Sequence, residues 1–305
     1  MKKVLILSFE DDLHAVAIQS LLKRHNAVAD ILDTGSFPGS FALVHDSSEQ
    51  NLISLNDKQL RHYHSIWWRR ASPPQPSKDV VETEEYRFAA RESREALWGA
   101  IHASRIPIYN SPQAEIIACY KPYQLQVAQE CGLLVPNTLI TNSPKEATAF
   151  RAKHDQVIYK TFGGTTLMMT DTRPLTDADM SDLWRLQYAP VIFQEYLARG
   201  REFRVTIIED DIFAAEIKIR NPKAHYDWRL DQDYQVIKTT LPNELCNQIT
   251  LLRRTLGLNS GSVDLRETPD GRIYFLEINP SGQFLFLDTF GGLDTGNRFC
   301  QLLLQ

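Results

Sequence analysis

The segment Val263-Asp264-Leu265-Arg266 … Tyr274-Phe275-Leu276-Glu277-Ile278-Asn279-Pro280 limits the possible folds of this chain more than any other. Ser262–Arg266 and Arg272–Asn279 flank Pro269-Asp270-Gly271, a turn sequence, so a hairpin is expected. Glu277 and Asn279 are two apart on one strand and share a face. Folding about Asp270-Gly271 brings Asp264 opposite Glu277, or one residue off. Three hard oxygen donors then converge, and with phosphate oxygens and water such a set suits Mg²⁺. A solvated polar face would explain Asp-x-Arg alone. It does not explain the whole set, because Ile273, Phe275, Leu276 and Ile278 half-bury the strand and acids there need partners.

An α/β domain is expected at the other end of the chain. Val4–Ser8 reads as a strand, Leu13–His25 as a helix with Val16, Ala17, Leu21 and Leu22 at helical spacing, and Val28–Leu32 as a second strand. This β-α-β opening implies an open parallel sheet. No Gly-x-Gly-x-x-Gly follows the first strand, so the usual dinucleotide fingerprint is absent. Ser65–Arg70 reads as another strand, 71–78 as a Pro-rich loop and Val80–Ser104 as a helix. Pro107–Pro112 reads as a strand entering a loop, with a subdomain border there. Further on, helices are expected over Pro122–Cys131, Asp177–Leu186 and Pro242–Leu256, and strands over Val157–Thr161 and Val191–Tyr196. Glu202–Ile208 and Ile212–Arg220 read as a hairpin around Asp210-Asp211.

Composition excludes several classes. A formal net charge of −5 leaves no dominant nucleic-acid surface. No stretch approaches the roughly 18 apolar residues of a membrane span. The run Val4–Leu7 is too short for a signal peptide, and Glu10, Asp11 and Asp12 follow it. Cys119, Cys131, Cys246 and Cys300 lie far apart with no Cys-x-x-Cys, as expected of free thiols in a reducing cytoplasm.

Lys160 ends a strand and precedes Gly163-Gly164-Thr165-Thr166. Glycines let backbone N–H groups approach an anion and the lysine adds a charge, although a plain turn would give the same pattern. Lys121, before a helix, is either a second phosphate cation or a surface lysine. Gln194-Glu195-Tyr196-Leu197 closes a strand and leads to Glu202. Free backbone groups there can meet an adenine edge and a carboxylate can hold both ribose hydroxyls; a polar strand end is the alternative. Arg204, Lys218 and Arg229 can clamp phosphate or an acceptor carboxylate, or pair with Glu195, Glu202 or Glu216.

The order of these positions resembles the ATP-grasp superfamily over roughly residues 110–305: Lys121, Lys160 with the glycine loop, Gln194-Glu195-x-Leu197, Glu202-Phe-Arg204, then Asp264 … Glu277-Ile-Asn279-Pro280. The resemblance implies an α/β (α+β) ATP-grasp fold. A parallel preface domain over 1–112 would precede two lobes, 113–190 and 191–305, that clasp ATP. It places Lys121, Lys160, Gly163 and Gly164 on phosphates, and Gln194, Glu195, Tyr196 and Leu197 around adenine. Glu202 falls on the ribose, and Asp264, Glu277 and Asn279 on Mg²⁺.

Within the superfamily the chain looks like the microviridin-type, or graspetide, peptide maturases. The features that carry this are Trp67-Trp68-Arg69-Arg70, Asp227-Trp228-Arg229, the ending Glu277-Ile-Asn-Pro-Ser-Gly-Gln283 and the short helix Gly296–Leu304. The resemblance implies phosphorylation of Asp or Glu side chains of a ribosomally made precursor peptide, leader plus core. Ser, Thr or Lys would then attack to form ester or amide crosslinks. Lys160, Arg204, Lys218 and Arg229 would be catalytic, and Asp227, Trp228, Arg229 and Arg266 would meet the peptide. Thr165–Asp171 would be a lid and Arg220–Tyr234 a leader-binding surface. A cytoplasmic homodimer is expected. The alternatives are a ligase that adds glutamate to protein tails, a small-peptide ligase, and a non-catalytic ATP-dependent peptide-binding module.

Overall fold

The computed structural model describes residues 1–48, 52–163, 172–221, 226, 228–231 and 233–305, with Arg229 described by its backbone alone. The chain begins with β1 (Lys3–Leu7), α1 (Leu13–Arg24) and β2 (Val28–Leu32). Asp12 caps α1 by accepting from the His14 backbone N–H at 3.0 Å. A small antiparallel sheet follows, built from β3 (Leu43–Asp46), β4 (Leu52–Leu55) and β5 (Lys58–Gln59). Then come β6 (Ser65–Trp68), the long α2 (Thr83–Ala103) and β7 (Ile108–Tyr109). The main sheet here runs β2-β1-β6-β7 with every pairing parallel, as the β-α-β opening implies.

Two helices, α3 (Pro112–Cys119) and α4 (Lys121–Glu130), carry the chain onward. A central sheet forms from β8 (Thr138–Thr141), β9 (Val157–Lys160), β10 (Arg173–Pro174) and β11 (Val191–Glu195), in the order β10-β9-β11-β8. Helix α5 (Pro144–Lys153) lies between β8 and β9, and α6 (Asp177–Ser181) lies between β10 and β11. A 3₁₀ segment, Leu183–Tyr188, follows α6. Ala147, Val157, Leu183 and Phe193 give this sheet its own core.

The largest sheet has the order β14-β13-β12-β15-β16 and is antiparallel throughout. Its strands are β12 (Glu202–Ile208), β13 (Asp211–Lys218), β14 (Gln235–Thr239), β15 (Ser260–Glu267) and β16 (Ile273–Asn279), with α7 (Asn243–Thr255) before β15. Helices α8 (Leu285–Gly291) and α9 (Thr295–Leu303) end the chain. One sheet face carries Phe203, Val205, Val263, Leu265, Phe275 and Ile278 against α7, α3 and α4. Helices α3 and α4 pack on this sheet through Ala118, Val127 and Ala128.

Alternation makes the opposite face polar, with Arg204 on β12 opposite Asp264 on β15, which is opposite Glu277 on β16. The end of the chain returns to its beginning. Phe299, Leu302 and Leu303 of α9 share a core with Val4, Ile6, Ile18 and Trp67, and with Ile208 of β12.

Candidate active site

The hairpin positions its three oxygen donors as its sequence pattern implies. Asp264 pairs with Glu277 in register, and Ser262 pairs with Asn279. Between Asp264 and Leu265 the register shifts, so that Leu265 faces Phe275 and Leu276 becomes an extra residue. Such a bulge re-aims a side chain and is common beside active sites. It keeps Phe275 in the core while Leu276 lines a cleft with Lys160 and Glu277. The adjacent apolar pair Phe275-Leu276, which breaks strand alternation, was the available signal for this bulge.

Each carboxylate of the hairpin has a cationic partner. Lys121, the first residue of α4, donates to Glu277 Oε2 at 2.6 Å, and Asn279 Nδ2 donates to Oε1 at 2.8 Å. Burial opposes the charge of Glu277, but Lys121 and Lys160 outweigh it and hold the carboxyl far below the ordinary range. Arg204 Nη1 donates to both Asp264 oxygens at 2.9 Å, and its Nη2 donates to the Gln283 carbonyl at 2.9 Å. A Cβ at Gly282 would lie 2.5 Å from Ser262 Cβ and 3.0 Å from Arg204 Nη2, so only glycine passes this close.

Two clefts meet at the hairpin. The smaller, about 90 Å³, is lined by Lys160, Glu202, Tyr226, Arg266 and Leu276. The larger, about 590 Å³, is lined by Arg70, Arg204, Tyr234 and Phe286. Trp228, Asp264 and Glu277 border both. The Trp228 ring centroid is 5.2 Å from Tyr234 in a T-shaped contact and 5.9 Å from Phe286. Tyr226 and Tyr234, expected on a leader-binding surface, thus line the clefts, and Tyr226 also packs on Tyr196 at 5.4 Å.

Other expected site residues have structural partners. Glu202 is 4% exposed and its Oε1 accepts from Arg266 Nε at 2.8 Å and Nη2 at 2.5 Å. Burial pushes its carboxyl up, against the pull of Arg266 and Arg199. Arg266, expected at the peptide, is thus committed to Glu202 and to the Leu197 carbonyl. Glu195 accepts from the Asn137 backbone N–H at 2.8 Å and from Nδ2 at 3.0 Å. Gln194 is buried and donates to Thr138 Oγ1 at 2.9 Å. Gly163 is exposed, and its carbonyl accepts from Thr161 Oγ1 at 2.9 Å.

Lys218 lies apart from this group. Arg204 pairs with Ala215, and Lys218 lies three residues along β13, so alternation turns it to the opposite sheet face, where it is exposed. It does not join the hairpin carboxylates. Gly164, Asp227, the Arg229 side chain, His225 and the expected lid Thr165–Asp171 lie outside the described residues.

Sequence signals also missed how α1 and the residues after β6 reach this site. Arg69, 1% exposed, donates from Nε to Asp12 at 3.1 Å and from Nη1 to the Ser281 and Gly282 carbonyls. His14 Nε2 accepts from the Phe284 and Leu285 backbone N–H groups at 3.0 and 3.2 Å. Burial, reinforced by Arg69, lowers the His14 pKa to about 4. The loop that follows Asn279 is therefore held from both sides.

Among the described residues no three His, Cys, Asp or Glu side chains gather into a metal cluster. The set here is two carboxylates and an amide, in register on one face, where cationic groups already neutralise them. That donor chemistry fits Mg²⁺.

No family model and no curated protein matched the sequence. Solved structures did. The macrocyclase MdnC of Microcystis aeruginosa, bound with precursor peptide MdnA, is 27% identical over 100% of both chains, with a TM-score of 0.88. The ATP-grasp ligase PsnB, complexed with minimal precursor, Mg and ADP, is 25% identical over 99% of this chain and 96% of that one, with a TM-score of 0.82. A RiPP-associated ATP-grasp ligase of Chryseobacterium gregarium, in complex with ADP and a leader and core peptide, has a TM-score of 0.90. At 24% identity, over 100% of this chain and 97% of that one, it speaks for the fold. The fold, the hairpin and these likenesses agree that the chain has the ATP-grasp fold and that it resembles the graspetide-type peptide maturases.

Proposed function

We propose that the chain is an ATP-dependent ligase that activates Asp or Glu side chains of a ribosomal precursor peptide and joins them to Ser, Thr or Lys side chains of the same peptide. The observation that carries this reading is the hairpin face of Asp264, Glu277 and Asn279, set between a cleft bearing Lys160 and a larger one bearing Arg204 and Arg70. The likeness to MdnC and PsnB, a macrocyclase and a ligase seen with precursor peptides, supports the substrate class.

A carboxylate is a poor electrophile. Its oxygen attacks the γ-phosphorus of ATP, the bond to the bridging oxygen breaks, and ADP leaves with the electron pair. A hydroxyl or amine of the peptide then attacks the acyl carbon and expels phosphate, while its proton passes to solvent. The peptide loses one water per crosslink. Lys160 and Lys121 screen the phosphates, and Arg204 holds Asp264 in place. Mg²⁺, held by Asp264, Glu277 and Asn279, would neutralise charge on the transferring phosphate. Arg229 is retained as a residue that orients the acceptor carboxylate or the transferring phosphate, and Arg220–Tyr234 as a leader-binding surface. The homodimer and the cytoplasmic location belong to the same proposal.

Mass spectrometry tests the reading. A small acidic, Thr- and Ser-rich peptide encoded beside this chain is incubated with the protein, ATP and Mg²⁺. Losses of about 18 Da per crosslink are expected from acyl transfer between side chains. A gain equal to one amino acid would point to a tail-adding ligase, and an unchanged mass counts against the cyclase.

A further inference from the structure

The larger cleft has a wall that the hairpin chemistry does not use, and the preface domain supplies it. Arg70 follows β6, with its backbone N–H fixed on the Leu7 carbonyl at 3.0 Å. Its side chain is exposed and lines the cleft beside Gln283, with its guanidinium carbon 6.0 Å from the Phe9 ring centroid. The neighbouring arginines are committed, Arg204 to Asp264 and Arg69 to Asp12. Among the described residues Arg70 makes no ion pair within contact distance; its charge acts at longer range on Asp12, which Arg69 already holds. It is a planar cation on a fixed backbone, facing a cleft that Asp264 and Glu277 also border.

We propose that Arg70 binds the carboxylate of the peptide's acceptor side chain, so that the preface domain chooses which acidic residue is activated. The proposal rests on the ligase reading above and adds to it the side from which the acceptor enters. Lys160 lines the smaller cleft, where phosphates belong, and Arg70 lines the larger one. The two anions that must react would then reach the hairpin from two clefts that share Asp264 and Glu277 as a border. The guanidinium fork suits a carboxylate, and Trp228, Tyr234 and Phe286 offer an apolar wall to the residue next to it. Strand position explains why the role falls to Arg70. In Trp67-Trp68-Arg69-Arg70, Trp67 enters the core shared with α9, Trp68 packs against Trp98 in a tilted contact at 4.7 Å and Arg69 is buried. Arg70 alone of the four lines the larger cleft, without an ion pair among the described residues.

The test uses the full chain with AMPPNP and Mg²⁺ and two probes, the capped tetrapeptide acetyl-Phe-Glu-Gly-Thr-amide and its Gln counterpart, with binding read by NMR titration. Wild type is expected to prefer the Glu probe by about tenfold, the worth of one hydrogen bond to a charged group. Arg70→Ala should erase that preference and Arg70→Lys should keep part of it, with AMPPNP affinity and melting temperature unchanged. A preference that survives in Arg70→Ala, or is missing from wild type, overturns the proposal. The ligase reading is scored separately, by dehydration of the precursor. If wild type and Arg70→Ala dehydrate it with equal KM, the ligase stands and the Arg70 site falls. If Arg70 governs the Glu preference while no peptide loses water, the site stands and the ligase reading falls.

Discussion

Glu202 and Arg266 form a buried ion pair across β12 and β15. The ATP-grasp resemblance directs the Glu202 carboxylate to a ribose, yet the strands pair it directly with Arg266. Both side chains are nearly excluded from water, at 5% and 6% side-chain exposure. Removing one partner of such a pair leaves an uncompensated buried charge and costs about 3–5 kcal/mol. Arg266→Ala should therefore lower unfolding free energy by about 3–5 kcal/mol in urea titrations, and Glu202→Gln should lower it less. If Glu202 instead serves the ribose, Glu202→Gln would raise the KM for ATP while leaving the urea midpoint where it was. The two readouts separate a strut from a ligand.

At the scale of elements, the loop after β16 is the joint that matters. It carries the chain away from Asn279 and is held by His14 of α1 and Arg69 just after β6, by Arg204 from β12, and by Glu115 from α3. Glu115 accepts from Ser281 Oγ at 2.9 and 3.0 Å and from Asn110 Nδ2 at 3.3 Å. Burial raises its pKa from 4.5 to about 7, against those hydrogen bonds and Arg69. The folded state thus favours the protonated acid. Its contribution is fully present below about pH 4.5 and is lost as pH rises through about 7. Glu115→Gln makes the neutral form permanent. Its melting temperature relative to wild type should therefore rise between pH 5 and pH 8, by differential scanning fluorimetry. A gap that stays flat or narrows would show that Glu115 ionises freely in the fold.

At the scale of the whole molecule, the first and last elements of the chain share one core, and the sheet of β8 to β11 has its own. Trp67 and Phe299 lie 4.8 Å apart in a core built from the first and last elements, whereas the sheet of β8 to β11 closes over its own core. Phe299→Ala would open a cavity there at about 3–5 kcal/mol. Because the core is shared, the preface sheet and the C-terminal sheet should lose stability together, in one transition by hydrogen exchange. Earlier exchange in the preface sheet alone would contradict a common body.

Local pattern carried much of this. The hairpin was legible from Asp264, Glu277, Asn279 and a Pro-Asp-Gly turn, because strand periodicity and turn chemistry act between near neighbours. The parallel opening sheet was legible for the same reason. The small sheet of β3 to β5, the edge strand β14 and helix α8 were not, since their short runs carry little periodic signal. Lys218 looked equivalent to Arg204 as a string of letters, and only the register of β12 with β13 turns it to the other face. The partners of Glu202 and Glu277, the bulge at Leu276 and the reach of Arg69 and Arg70 into the site were decided by tertiary structure alone. Each depends on contacts between residues far apart in the chain, such as Lys121 with Glu277 or Arg69 with Ser281. Spacing along a sequence specifies which face a side chain takes, but not which distant charge will be folded against it.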